Sequence, residues 1–293
     1  MLVNGRDCSI VIKTVQTEID VPYSEETIRE AVSLLVEEAA IEGDGVRGAI
    51  RKSGGVTGCV VTPLTGGTAP LLLYLAFGCT GLAASVSGNS EAGDYSLKLI
   101  PFEDSSSFDL IQDREGEREK RKGKSERRVF EGCRVKGFEL RIGREEAIKL
   151  KLDIRGKNPP AVYTFDNNFR AFSYAKQNKR YHGDFVSYRI NDKEYHNIYG
   201  LTLLSRKKGG TRTEIWIKRA LNNKPEIPEL IEELTITAYL PTGKYEAQAR
   251  GMFTITARRL VLTADETNIN SAGAAIGPLR YYVAGNVSAN CSF

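Results

Sequence analysis

The chain has 293 residues, enough for two modest domains that each bury a core. Its 41 lysines and arginines nearly balance 37 aspartates and glutamates, leaving a formal charge of +4. No global field therefore argues for nucleic-acid binding, and any polyanion site has to be local. The longest apolar run, Leu71 to Phe77, is far short of the roughly 20 residues of a membrane helix. With no charged leader before an apolar stretch at the N-terminus, the expectation is a soluble, cytosolically made protein without a membrane anchor.

Five widely spaced cysteines, Cys8, Cys59, Cys79, Cys133 and Cys291, include no CxxC pair. They read as reduced thiols acting as small hydrophobes, not as a disulfide framework or zinc site.

Along the chain, Ser24 is a suitable N-cap, and Ile28, Val32, Leu35 and Ala39 follow at helical spacing, which predicts a helix ending at Gly43. Gly43 to Gly48 matches the letters GxGxxG, but it does not leave a strand and open a helix, so it reads as a turn. Val56 to Thr62 reads as a strand. A second helix is predicted with Thr68 as cap, Pro70 in the first turn, Leu71 to Phe77 as body and Gly78 at its left-handed end. Ser85 to Asp94 is polar and loop-like, and Tyr95 to Phe102 resumes with period two.

From Asp113 to Arg128 runs DREGEREKRKGKSERR, without one apolar residue. It separates the strand-like Phe108 to Gln112 from Val129 to Phe138 and exceeds the roughly 2–5 residues of a hairpin loop, which predicts an insertion at a hairpin tip. Two readings stand: a solvated loop, or an arm ordered against a neighbouring subunit. In the second, Arg114, Arg118, Lys120, Arg121, Lys122, Lys124, Arg127 and Arg128 are the contact residues.

A strand, turn and strand unit then occurs twice. In the first copy Phe138, Leu140 and Ile142 alternate with Glu139 and Arg141, a turn spans Gly143 to Glu146, and Ile148, Leu150, Leu152 and Ile154 alternate with Lys149, Lys151, Asp153 and Arg155. The second copy runs from Tyr195 through Leu201 and Leu203 to a turn at Arg206 to Gly210 and back through Thr211 to Lys218. The cationic face of Lys149, Lys151, Asp153 and Arg155 points to a duplicated β-rich unit built for assembly. Asn158-Pro159-Pro160 breaks the ladder pattern and predicts a boundary between domains 1–157 and 158–293. Beyond it, Phe185 to Ile190 and Glu194 to Leu204 flank an Asn191-Asp192 turn. Pro225 to Glu233 reads as a short helix or loop, and Leu234 to Leu240 and Gln248 to Leu262 as strands. The small, polar Thr267 to Gly277 precedes the apolar Leu279 to Val283. The fold class is mainly β (α+β) with a flanking helix.

Chemical motifs are sparse. Cys79 would follow a helix C-terminus, where the dipole opposes a thiolate. His182 and His196 lack the carboxylate or cysteine partners of a metal site or triad. Asp265 and Glu266 are adjacent, so on a strand they face opposite ways. Phe169, Phe172, Tyr174, Tyr181 and Tyr188, interleaved with Lys176, Lys179, Arg180 and Arg189, suit either stacking on single-stranded nucleic acid or a subunit interface. No catalytic residue, cofactor or metal is expected.

The run SEETIREAVSLLVEEAAIEGDGVRGAIRKSGGVTGCVVTPLTGGTAPLLLYLAFG, then YSLKLIPF, a hairpin insertion and VFEGCRVKGFELRIGREEAIKLKLDIRGK, resembles the tail tube (major tail) proteins of long-tailed bacteriophages and related prophage or gene-transfer particles. The most specific parts are the Pro70 to Gly78 helix after a strand and the Phe130 to Cys133 stretch leading into paired amphipathic strands. The resemblance implies a β-sandwich or β-barrel with a flanking helix, assembled into stacked rings whose lumen conducts DNA without sequence-specific binding. It implies a homo-oligomer, a hexameric ring or a trimeric pseudo-hexameric one if both halves are tube domains. Its partners would be neighbouring rings, tape-measure, tail-terminator and distal tail proteins, and its place the virion tail after assembly in the host cytoplasm. Asp113 to Arg128 would reach the adjacent ring, and Lys149, Lys151, Asp153 and Arg155 would line the lumen or a subunit seam. A nucleic-acid-binding β domain, a distal-tail or baseplate component, and a cysteine hydrolase using Cys79 are the alternatives.

Overall fold

The computed structural model describes residues 8–14, 18–37, 48–77, 94–98, 106–115, 125–165, 179–207, 211–219, 227–241, 247–263 and 278–292. The Gly43 to Arg47 turn, Gly78, Cys79, the Ser85 to Gly93 loop, Arg118 to Lys124, Phe169 to Lys176, and Asp265 to Gly277 lie outside these residues.

The described chain is mainly β with one helix. Its strands are β1 (Cys8–Lys13), β2 (Glu18–Asp20), β3 (Glu25–Glu26), β4 (Arg29–Glu37), β5 (Gly48–Pro63), β6 (Asp94–Lys98), β7 (Phe108–Glu115), β8 (Ser125–Gly143), β9 (Lys149–Gly156) and β10 (Ala161–Phe165). Then follow β11 (Val186–Ile190), β12 (Lys193–Glu194), β13 (Ile198–Lys207), β14 (Thr211–Arg219), β15 (Leu230–Pro241), β16 (Ala247–Leu262), β17 (Leu279–Val283) and β18 (Val287–Ser292); the helix α1 is Ala69–Phe77.

All these strands pair antiparallel, and the long β8 belongs to two sheets. Its first part pairs with β7 and β10, extending a sheet that runs β2, β1, β7, β8, β10. Its second part pairs with β9 and β13, in a sheet that runs β4, β5, β9, β8, β13, β14, β17, β16, β15, β11. The change of partners falls at Gly132, whose φ of +62° is a left-handed conformation that glycine adopts without penalty. A register shift against β7 accompanies it, and the Gly132 N–H donates to Asp109 Oδ1 at 3.0 Å.

Both sheets and the helix share one core. Alternating residues supply it, as the sequence periodicity requires: Leu150, Leu152 and Ile154 of β9, and Leu234, Ile236 and Ala238 of β15, are each at most 2 % exposed. Helix α1 is apolar on nearly every side and buried accordingly. Its Phe77 ring lies 4.9 Å from that of Phe138 on β8, and across the core the Tyr181 and Phe253 rings meet edge-on at 4.9 Å. Asn158 to Pro160 separates β9 from β10, where the chain leaves one sheet for the other. Strands from either side of that point pair directly, β8 with β13.

Three local expectations are corrected. The predicted helix after Ser24 is strand: Arg29 to Glu37 pairs along β5, because two-edged apolar spacing lets sheet pairing override helical propensity. Thr65, not Thr68, provides the capping hydroxyl of α1. Its Oγ1 accepts from the Thr68 N–H at 3.2 Å and its carbonyl from Ala69 at 2.9 Å. Leu230 to Glu233, expected as helix or loop, opens β15. The Asn191-Asp192 turn has φ values of +47° and +64°, the geometry that joins β11 tightly to β12.

Candidate functional site: the outer face of the paired hairpins

Both copies of the strand, turn and strand unit form hairpins, and they lie side by side as β9, β8, β13, β14. Leu140 stands opposite Leu203 at the centre of the β8–β13 ladder. Half a turn about that point carries Gly137 onto Gly200 and Phe138 onto Leu201, and on the outer strands Leu150 onto Ile215 and Leu152 onto Ile217. The buried faces therefore repeat. The outer face does not: the same rotation carries Lys149 onto Glu214, Lys151 onto Trp216 and Asp153 onto Lys218. The charge pattern differs position by position, although the second hairpin also carries cations on this face, at Arg206, Arg212 and Lys218.

Most charges on this face are paired locally. Arg141 Nε meets Glu139 at 2.6 Å and Arg212 Nε meets Glu214 at 2.6 Å. Lys151 Nζ stands 4.0 Å from Asp153 Oδ1. The Trp216 indole N–H donates to Glu214 at 3.2 Å, and the Arg280 guanidinium lies 4.2 Å from the centre of the Trp216 ring. Burial pushes the Asp153 carboxyl up from its ordinary value, opposed by Lys151 and Arg206. The Glu139 hydrogen bond raises Arg141, which stays charged.

Farther along β17, β16 and β15 the face turns apolar. Tyr282 stands opposite Val261 and Val261 opposite Leu230, and all three are exposed.

The charged run between β7 and β8 begins and ends inside the ladder. Glu115 pairs with Ser125, so the strands continue beyond the apolar residues that marked them in the sequence. Arg114 pairs with Glu126 in that ladder. Arg127 holds Asp113 through two bonds of 2.7 and 2.8 Å, and Arg128 contacts Glu126. These two arginines are thus bound within their own hairpin. Arg118, Lys120, Arg121, Lys122 and Lys124 lie outside the described residues.

Lys149, Lys151, Asp153 and Arg155 share the outer face of β9, with Arg155 the most exposed. The aromatic and basic segment of the second half is divided: Tyr181 and Tyr188 are buried in the core and present no stacking surface, whereas Arg180 and Arg189 are exposed. His182 Nδ1 lies 3.3 Å from Asp184 Oδ2 beside a short helical turn, and His196 is exposed. Among the described residues no group of His, Cys, Asp and Glu has the makings of a metal site, and no helix is long and apolar enough to cross a membrane. Cys59, Cys133 and Cys291 are free and buried; burial pushes the Cys133 and Cys291 thiols up to about 12.

Sequence reading missed Arg29 of β4 and Arg134 and Lys136 of β8. The register brings them near Arg155 although they are distant in the chain from one another or carry no repeat of their own. No family model matches the chain, and no curated protein matches it.

Proposed function

We propose that the chain is a structural virion protein, a subunit of the hollow tail tube of a long-tailed phage or a related particle. Subunits assemble into rings, the rings stack, and DNA passes through the lumen. The observation that carries this reading is the outer face of β9, β8, β13 and β14. It is a broad strand array whose charges are mostly neutralised by neighbours on the same face. Such a wall has polar groups for water and little free charge to hold a polyanion. Ring closure would also cover sheet edges such as β4 and β10, each of which has one strand neighbour among the described residues.

Negative-stain electron microscopy of the concentrated protein tests the reading: rings or tubes support it. Monodisperse monomers, persisting when tail partners are added, count against it. Copy number in a purified particle separates a main-tube subunit, which is abundant, from a distal or baseplate component.

A nucleic-acid-binding β domain is the second reading, favoured by the cationic register of Arg29, Arg134 and Arg155. It requires DNA or RNA binding by the monomer that weakens steeply with salt.

A further inference from the structure

Four strands lie abreast at one end of the outer face, and their register gathers cations. Arg29 of β4 stands opposite Thr57 of β5, Thr57 opposite Arg155 of β9, and Arg155 opposite Arg134 of β8. Residues directly opposite in a ladder project to the same face. Lys136 joins them at the register shift between Val135 and Gly137. Arg134 is engaged by a partner of its own. Among the described residues, neither Lys136 nor Arg155 makes an ion pair.

These two side chains line a cleft of about 700 Å³ with Thr27, Thr57, Cys59 and Asp153. Its wall is thin at Gly58, where an added Cβ would stand 2.5 Å from the Ile28 Cα and the Thr27 carbonyl oxygen. The backbone of residues 27 and 28 thereby packs closely against β5, with the Thr27 N–H donating to the Cys59 carbonyl at 3.0 Å. The Thr27 hydroxyl is engaged with Cys59, accepting from its N–H at 3.0 Å, while Thr57 is exposed. Asp153, the one acid lining the cleft, turns toward β8. Its Oδ2 lies 3.1 Å from where a Cβ on Gly137 would stand, and its Oδ1 faces Lys151.

We propose that this cleft binds an oxyanion of the phosphate class, with Lys136 and Arg155 as its charged ligands and the Thr57 hydroxyl as a further donor. Donors on three strands suit a ligand with several oxygens and more than one negative charge better than a flat, singly charged carboxylate. The site does not depend on the tube reading.

Isothermal titration of the full chain with inorganic phosphate, against sodium chloride at matched ionic strength, tests the proposal. The expected result is saturable binding to the wild type. Lys136→Gln and Arg155→Gln should each weaken it by about tenfold or more, the usual effect of losing one charge-assisted bond. Lys193→Gln, an exposed cation on β12, should bind as the wild type does. Circular dichroism checks each fold, and Thr57→Val, which removes the proposed hydroxyl donor, replaces any variant that fails to fold. No saturable heat with the wild type, or equal affinity in all folded variants, overturns the site. Assembly plays no part in this readout: phosphate binding by a chain that never forms rings would retain the site and reject the tube.

Discussion

In the proposed tube, reversing Lys149 and Lys151 to glutamate separates a subunit seam from a lumen wall, because the structure makes the change nearly neutral for folding. Lys149 stands opposite Arg141, so a glutamate there replaces a like-charge pair with an attractive one. Lys151 stands opposite Glu139, so the second glutamate does the reverse, and it also removes the 4.0 Å contact with Asp153. Cross-strand pairs of this kind are each worth about 0.2–1 kcal/mol, and Lys151 and Asp153 are 30 % and 41 % exposed, which lowers the value through solvent screening. The opposing terms leave a net change below about 1 kcal/mol, or roughly 2–4 °C in Tm for a chain of this size. Thermal unfolding checks that figure, and electron microscopy with sedimentation velocity reads assembly. Loss of rings with an unchanged Tm places the face at a seam. Intact tubes with impaired DNA passage place it in the lumen. A fall in Tm beyond about 10 °C would refute the energetic reasoning, since surface pairs cannot supply so large a change.

Three further outcomes follow from the interior. Gly183→Ala places a Cβ 1.9 Å from the Gly143 carbonyl oxygen, which is backbone and cannot swing aside; destabilisation of about 1–3 kcal/mol is expected in denaturant unfolding. Tyr181→Phe keeps the ring contact with Phe253 and removes a buried hydroxyl that has no hydrogen-bond partner among the described residues, so its denaturation midpoint should equal or exceed that of the wild type. The Asp20 carboxyl is raised above 3.8 by burial, then by Glu18 and Asp113, and its Oδ1 is buried without a hydrogen-bond partner among the described residues. A raised acid contributes stability that is present below its unfolded value and is lost as pH rises through the folded one. Asp20→Asn should therefore unfold at a higher temperature than the wild type at neutral pH, and the gain should vanish below about pH 4.

Alternation was the most readable signal. Leu150, Leu152 and Ile154 are buried because period two sends successive side chains to opposite faces, and the same rule located most of β8, β15 and β16. The body of α1 was legible from its apolar run between Thr68 and Gly78, although its capping hydroxyl sits three residues earlier, at Thr65. The segment from Arg29 to Glu37 was misread because Ile28, Val32 and Leu35 satisfy helical spacing, while the partner that decides the matter, β5, lies later in the chain. The Phe108 to Phe138 hairpin was recognised, but charged residues concealed how far its ladder extends, since paired edge positions need not be apolar. The candidate site was less legible for a related reason. Lys149 to Arg155 could be found from local alternation, whereas the opposition of Arg134 and Arg155 exists only once the register is known.

That register also divides the electrostatics of the outer face. At Arg141, Glu139, Arg212 and Glu214, opposite charges two residues apart on one strand neutralise each other. Such exposed pairs add little stability, so their physical effect is mainly to reduce the field without removing the polar surface. At Arg29, Arg155, Arg134 and Lys136 the same sheet geometry gathers one sign across several strands. In the proposed tube, a uniform cationic wall would retard DNA along its whole length, whereas a localised cluster would hold one anion while the remaining face stayed weakly attractive. The half-turn relation between the hairpins sharpens this difference, because it repeats the buried residues but places Glu214 and Trp216 where the first hairpin has Lys149 and Lys151. Packing constrains one face of each strand, and the other remains free to differentiate.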